Sequence, residues 1–213
     1  MKNEKPAAHP KVGIMADSHG QPETIIAAIA FLSAMDCRPI YHLGDICDSV
    51  HPETAETCVR PLRESMVTAI KGNNDHAIVV NQVGLEQEAV PKKTLSFLRN
   101  LPLMTQYKNA FFAHSLPFER ELGLASMIGA MGQNEASLFF EASPQGLLFR
   151  GHSHTPEIIW LKGRRILSQT LSAGEKVGLE GRLPCVVTCG ALTRRLCMVW
   201  RPAENIIECL SFR

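Results

Sequence analysis

Apolar residues in the first third of the chain come in short unbroken runs, separated by stretches with a helical period. Val12, Gly13, Ile14, Met15 and Ala16 form the first run. A strand covered on both faces is apolar at successive positions, so a buried strand is predicted over 12–16. Gly20 then lets the backbone turn sharply, and Pro22 and Glu23 suit the first turn of a helix. Ile25, Ile26, Ile29, Ala30, Leu32 and Ser33 trace an amphipathic helix that closes before Pro39. The alternation continues with a strand at 40–43, a helix at 53–64 broken at Pro61, and a strand at 66–70. Strand, helix, strand, helix, strand is the α/β signature, and in such sheets ligands gather at the carboxyl ends of the strands.

The second half reads as more β than α. A short helix is predicted at 94–100, carried by Leu95, Phe97 and Leu98, then strands at 103–107 and 110–113. Residues 116–133 hold Gly, Met and Leu without a clean period, which predicts an irregular, mobile segment near the site. A helix over 134–142 opens with Asn134 as its cap and Glu135 in its first turn. Residues 146–149 form a buried strand, and a hairpin follows from Ile158–Leu161 through Lys162 and Gly163 to Arg165–Leu167. Strands at 184–189, 196–200 and 206–212 complete the chain, while residues 1–10, with Pro6, His9 and Pro10, read as a loose solvated tail.

Composition narrows the class. At 213 residues, length favours one domain spanning 1–213, and 45% hydrophobic with 20% charged residues is ordinary for a soluble globular enzyme. A net charge of +1, with no basic run longer than a pair, argues against a nucleic-acid groove. Seven cysteines cannot all pair and none lies in a Cys-x-x-Cys spacing, so reduced thiols and a cytoplasmic location are expected. Cys185 and Cys189 read as buried core thiols rather than ligands. No apolar run approaches the ~20 residues that span a bilayer, and the first run is too short for a secretion signal.

The chemistry sits where the predicted strands end. Asp17 and His19 follow the first strand, Asp45 the second and Asn73 the third; His114 ends a later strand, and Gly151-His152-Ser153-His154-Thr155-Pro156 follows the run at 146–149. Paired residues such as His152 and His154 share one face of a strand end, because side chains alternate with a period of two. Two carboxylates, one amide and four imidazoles are close to what two divalent ions need when one carboxylate is shared. Ions so bridged lie ~3.5–4 Å apart, matching two oxygens of a phosphoryl group, and a water between them is acid enough to be hydroxide near neutral pH. Two such ions exceed the charge of two carboxylates and one hydroxide, so the site should favour an anionic, phosphate-like substrate.

The ordered blocks Asp-x-His, Gly-Asp, Gly-Asn-x-Asp, a lone His and Gly-His-x-His resemble those of the calcineurin-like metallophosphoesterases, and they run from Asp17 to His154. The resemblance implies an α/β fold in which a two-sheet β-sandwich is flanked by helices, in four αββα layers. It implies one ion held by Asp17, His19, Asp45 and His154 and a second by Asp45, Asn73, His114 and His152. The bridging hydroxide would attack phosphorus, with Asp45 fixing the spacing and Asn73, Asn74 and His114 meeting the phosphate. Manganese leads the candidate ions, with iron, zinc, nickel, cobalt and magnesium also compatible. A small phosphoester is the implied partner, and a homo-oligomer is compatible with it.

Two departures shape the expectation. Asn74 stands where phosphomonoesterases and protein phosphatases of the superfamily place a histidine that can protonate the leaving oxygen. An amide cannot act as a general acid near neutral pH. The small bacterial and archaeal phosphodiesterase-like subgroup also lacks that histidine, so phosphodiesters or substrates with good leaving groups are preferred. A monoesterase or dinucleotide polyphosphate hydrolase is the alternative activity. A second departure is Ser172-Ala173-Gly174, where the subgroup often carries Asn-Pro-Gly-Ser. A non-catalytic scaffold, as in the retromer subunit that resembles this family, is the alternative class; the full set of seven expected ligands argues against it.

The neighbouring polar residues have plainer readings. His42 is a satisfied structural histidine, while His51 and His76 are surface or turn residues. Asp48 and Asp75 are capping or supporting carboxylates, with Asp75 orienting a neighbour and so entering the catalytic set with Asp45 and Asn74. Arg150 either meets phosphate or turns away, and Phe118, Met127 and Met131 either line a lid or pack.

Overall fold

A computed structural model describes residues 10–82 and 89–213. Its elements are β1 (Lys11–Met15), α1 (Pro22–Ala34), β2 (Cys37–His42), α2 (Ala55–Glu64), β3 (Thr68–Ala69), α3 (Asn73–Asn81), α4 (Lys92–Asn100), β4 (Met104–Tyr107), β5 (Ala110–Ala113), α5 (Glu119–Leu122), α6 (Gln133–Ala142), β6 (Leu147–Arg150), β7 (Glu157–Lys162), β8 (Arg165–Thr170), β9 (Lys176–Gly178), β10 (Cys185–Thr188), β11 (Leu196–Arg201) and β12 (Ile206–Ser211). They build two six-stranded sheets, ordered β3-β2-β1-β11-β12-β9 and β4-β5-β6-β10-β7-β8. Of the tail expected at 1–10, residues 1–9 and with them His9 lie outside the described residues.

Side-chain alternation explains the four layers. Along β1, Val12, Ile14 and Ala16 enter a core between the two sheets, whereas Met15 joins the core under α1, α2 and α4. In the other sheet Leu147 and Phe149 face inward, and Leu148 packs with Phe139 and Phe140 of α6. An aromatic row bolts the sheets together: Tyr41 stacks on Phe112 at 4.1 Å between centroids, Phe112 lies 5.4 Å from Phe149, and Phe149 5.5 Å from Trp200. Tyr41 and Trp200 belong to one sheet, Phe112 and Phe149 to the other. Burial of each such ring is worth about 1.5–3 kcal/mol, so relative movement of the sheets is strongly opposed. β1, β2 and β3 run parallel in one sheet, and β5, β6 and β10 in the other. Their carboxyl ends carry all five predicted blocks.

Several local expectations are corrected. Helix α2 runs through Pro61 unbroken, because Cys58, Val59 and Leu62 bury its inner face and outweigh the single donor that proline removes. Ile26 is 55% exposed and Ala30 is exposed, so the core-facing stripe of α1 is Thr24, Ile25, Ala28, Ile29 and Leu32. The N-cap of α6 is Gly132, whose N–H donates to Glu135, rather than Asn134. The β7–β8 hairpin turns at Gly163 and Arg164, one residue beyond the expected pair, since Lys162 already pairs with Arg165. The segment 116–133 contains α5 and a 3₁₀ turn over Gly123–Met127. Met127 within it is buried, and Phe118 and Met131 pack against the α6 core.

Candidate metal centre

The pleat does not bring the predicted ligands together. β1 ends at Met15 and β6 at Arg150, so Asp17, His19, His152 and His154 lie beyond regular strand. Together with Asp45 these four adopt left-handed backbone, with φ of 56°, 43°, 69°, 60° and, for Asp45, 52°. A non-glycine residue there costs about 1 kcal/mol or more and persists only where its surroundings over-determine it. They do so here. The amides of Asp17, His19 and Gly20 donate to the carbonyls of Gly44, Asp45 and Ile46 at 3.1, 3.0 and 3.2 Å. From the other sheet, Gly151 N–H donates to the His114 carbonyl at 3.0 Å, and His152 N–H to Asp17 Oδ2 at 3.0 Å.

Two glycines permit this lacing. Gly44 has φ +87°, and a methyl group on Gly72 would collide with the Asp45 nitrogen and carboxylate. The Gly-Asp and Gly-Asn blocks are therefore two backbones pressed against each other.

Two donor groups result, Asp17/His19/His154 and Asp45/His114/His152, and within each the donor atoms all lie within 4.8 Å of one another. Asp45 joins them: its Oδ2 is 3.8 Å from His19 Nε2 and its Oδ1 3.6 Å from His114 Nε2. Asn73 Oδ1 is 3.1 Å from His114 Nε2, and His152 Nδ1 is 3.2 Å from the same atom. Across the other group, His19 Nε2 and His154 Nε2 are 2.9 Å apart, and His154 Nε2 is 3.8 Å from Asp17 Oδ1. All seven predicted ligands converge.

The donor set fits cations. His114 Nδ1 donates to the Leu43 carbonyl at 2.8 Å, so its Nε2 carries a lone pair, and that lone pair faces a carboxylate, an amide oxygen and another imidazole. Acceptors aimed at acceptors repel unless positive charge sits among them. Burial disfavours the protonated form of three of these imidazoles: it lowers His114 to about 4, and lowers His152 and His154 as well. Asp17 is pushed well above the carboxylate range by burial and then by Asp45, the response of two carboxylates brought together away from water.

Residues around the donor groups hold them in place. Asn74 N–H and its side-chain Nδ2 donate to Asp45 Oδ1 and Oδ2, both at 2.8 Å, while Ser49 Oγ donates to Asn74 Oδ1 at 2.8 Å. Asn74, expected to meet phosphate, thus spends its amide on Asp45 and Ser49. Asp75 is fully buried, accepts from Gly72 and Cys47 amides at 2.9 and 3.0 Å, and is raised to about 7 by burial. His42 Nε2 pairs with Ser18 Oγ at 3.0 Å, but its Nδ1 has no partner among the described residues, so it is only half satisfied there. His76 lies in α3 and is half-buried rather than in an exposed turn; His51 is exposed beside Glu53. Arg150 turns away from the ligands: Nε and Nη2 donate to the carbonyl and hydroxyl of Ser115, each at 2.9 Å, and Nη1 to Thr188 at 3.2 Å.

Ser49, Ser18 and the Leu43 carbonyl were not predicted. Ser49 carried a signal, four residues past Asp45 in the same loop, but a backbone carbonyl carries none. The Ser172–Gly174 turn is bound to Glu175 and Cys209. The loop that meets Asp17 is instead Cys189–Thr193, through Cys189 N–H to the Arg150 carbonyl at 2.7 Å, Leu192 N–H to the Ala16 carbonyl at 2.8 Å and Thr193 N–H to the Asp17 carbonyl at 3.4 Å.

A calcineurin-like phosphoesterase superfamily domain profile matches residues 11–183. The chain belongs to that superfamily. As a calcineurin-like phosphoesterase it shares its fold with a metallophosphoesterase from Sphaerobacter thermophilus, at 20% identity and TM-score 0.75 over 96% of this chain and 89% of that one. A protein described as a candidate diadenosine tetraphosphatase is 15% identical with TM-score 0.60, covering 97% and 96% of the two chains. An archaeal phosphodiesterase is 14% identical with TM-score 0.52, covering 94% and 99%. Among curated proteins no sequence matches. Membership implies a phosphoric ester hydrolase using divalent metal ions, and the two donor groups are where this phosphoesterase would hold them. Among the described residues no helix is long and apolar enough to cross a membrane.

Proposed function

We propose that the protein is a dinuclear metal-dependent phosphoesterase that prefers phosphodiesters and other small substrates with good leaving groups. The observation that carries the dinuclear reading is Asp45, whose two carboxylate oxygens face the two donor groups separately. Asp17, His19, Asp45 and His154 would hold one ion, and Asp45, Asn73, His114 and His152 the other, with manganese the leading candidate. Divalent ions bound there supply Lewis acidity toward a phosphoryl oxygen and water acidified toward neutral pH.

The chain's own residues provide the rest. Asp45 sets the spacing of the two groups and is held by both donors of Asn74. Asp75 ties the Asp45 and Asn73 loops together from behind through Cys47 and Gly72. Asn73, which is partly exposed, would meet the substrate at the edge of the buried group, next to the fully buried His114, whose Nε2 lies 3.1 Å from its Oδ1. No imidazole follows Asn73, so no side chain at that position can release a proton to a departing alkoxide. A diester or aryl leaving group needs that proton least.

Mono- and diesters of one aryl leaving group, assayed side by side on metal-loaded protein, test the reading. A higher kcat/KM for the diester is expected, and a strong monoester preference overturns it. Asn74→His should raise monoesterase activity; no gain, with metal content unchanged, would show that position 74 does not set the preference.

A further inference from the structure

Two guanidiniums exert their charge on the ligand imidazoles, and they are used differently. Arg150 reaches Asp17, His114 and His152 electrostatically. It is 3% exposed, however, and each of its three nitrogens donates to Ser115 or Thr188. It has a structural occupation and no path to a substrate.

Arg194 is the other. It closes a 3₁₀ turn, Leu192–Arg194, that is stitched to the end of β1: Leu192 N–H donates to the Ala16 carbonyl at 2.8 Å and Thr193 N–H to the Asp17 carbonyl at 3.4 Å. Its side chain is exposed, and among the described residues it makes no ion pair or side-chain hydrogen bond. Its charge acts on His154. The next residue, Arg195, is diverted: it takes left-handed backbone at φ 57° and lies over the Phe212 ring at 5.8 Å. The turn therefore presents one uncommitted guanidinium beside the donor group that is open to solvent, where His19 and His154 side chains are 24% and 31% exposed.

We infer that Arg194 is a specificity-determining residue that binds a second phosphate of the substrate, next to the phosphoryl group held at the Asp17–Asp45 cluster. The substrate class this selects is a phosphoanhydride chain, in which an adjacent phosphate bears its own negative charge. Divalent ions held by the two donor groups that share Asp45 would compensate one phosphoryl group, and a neighbouring phosphate needs a further cation. A guanidinium on a fixed turn suits it because its planar fork meets two phosphate oxygens at once. The inference rests on the phosphoesterase reading of the site.

The test uses the full metal-loaded chain with Arg194→Gln and Arg194→Lys, a dinucleoside tetraphosphate and a single-phosphate aryl diester. Arg194→Gln should lower the ratio of kcat/KM for the tetraphosphate over that for the aryl diester by about tenfold or more, mainly through KM, with Arg194→Lys restoring part of it. In titration calorimetry the same variant should bind tripolyphosphate about tenfold more weakly while its affinity for orthophosphate falls much less. An unchanged ratio, or equal losses for tripolyphosphate and orthophosphate, overturns the assignment to a second phosphate. A wild-type protein that hydrolyses the aryl diester while Arg194→Gln changes nothing sinks this inference alone. Wild-type protein inert toward both substrates sinks the phosphoesterase reading and this inference with it.

Discussion

The two donor groups are built from the same residue types but held differently. In the Asp45/His114/His152 group the side chains of His114 and Asp45 are 0% and 3% exposed, His114 is anchored on the Leu43 carbonyl, and Asp45 is gripped by Asn74. In the Asp17/His19/His154 group only the carboxylate is buried; the two imidazoles reach solvent, and the hydrogen-bond partner of each is the other. Outer partners that fix an imidazole's tautomer and orientation raise its quality as a ligand. The buried group is accordingly a preformed seat, and the open group is where a ligand or substrate can enter and leave. If ions bind as proposed, the buried group would hold one tightly for position and the open group would keep the other adjustable.

The largest expected effect comes from removing what the groups share. Asp45→Asn takes the negative charge from both at once, so hydrolysis should fall by about 10³-fold or more, and metal content measured by elemental analysis should drop in both groups. Retention of full activity would show that Asp45 bridges nothing. A smaller effect separates the groups. His114→Ala removes an anchored, buried ligand and His154→Ala an exposed one, so the first should weaken manganese binding about tenfold more than the second. Calorimetric titration of both variants checks it, and equal losses would abolish the distinction between seat and door.

Next comes the grip on Asp45. Ser49→Ala leaves the Asn74 carbonyl with only the longer bond from the Ser49 N–H at 3.4 Å, and Asn74→Ala frees one Asp45 oxygen. Each should weaken metal binding about 10-fold, the lower end of what loss of such an outer partner costs. If Asn74 instead serves only the substrate, metal affinity will stay put and KM alone will move.

How much of this was legible in the chain follows from what kind of cause was at work. The five blocks could be read because each carries its own chemistry in side chains, and parallel strands must deliver their carboxyl ends to one edge. The route of convergence was misread: Asp17, His19, His152 and His154 meet through left-handed backbone and cross-loop amides, which leave no periodic trace. Pro61 inside α2 and the glycine cap of α6 were missed because tertiary burial and a Glu135 carboxylate decide them, not local propensity. β9 escaped because only Val177 of its three residues is buried, too little to make a pattern. Arg150 could not be assigned from sequence, since its partners Ser115 and Thr188 lie 35 and 38 residues away.

The smallest effect concerns what lies behind the buried group. His42 Nε2–H donates to Ser18 Oγ, which itself donates to the Ile46 carbonyl at 3.0 Å, so this histidine ties the Asp17–His19 loop to the Asp45 loop. Its Nδ1 is buried without a partner among the described residues, and burial lowers the imidazole from its ordinary 6.5 to about 3. Folded protein therefore holds His42 neutral where unfolded chain would protonate it. The unfolded state binds the extra proton between pH 6.5 and 3, so this group's contribution to stability is complete above 6.5 and is lost as pH falls through that window. His42→Gln keeps a donor for Ser18 but cannot titrate. Thermal melting of chelator-treated protein should show a shallower acid limb for the variant than for wild type across that range. Asp17 and Asp75, whose raised carboxyls act with the opposite sign, are common to both proteins and cancel in the difference. Parallel acid limbs would mean that His42 is already protonated when folded, and that its Nδ1 finds a carboxylate or water the fold does not show. The buried group would then be less dry than its neighbour, and the contrast between the two halves would have to be drawn the other way round.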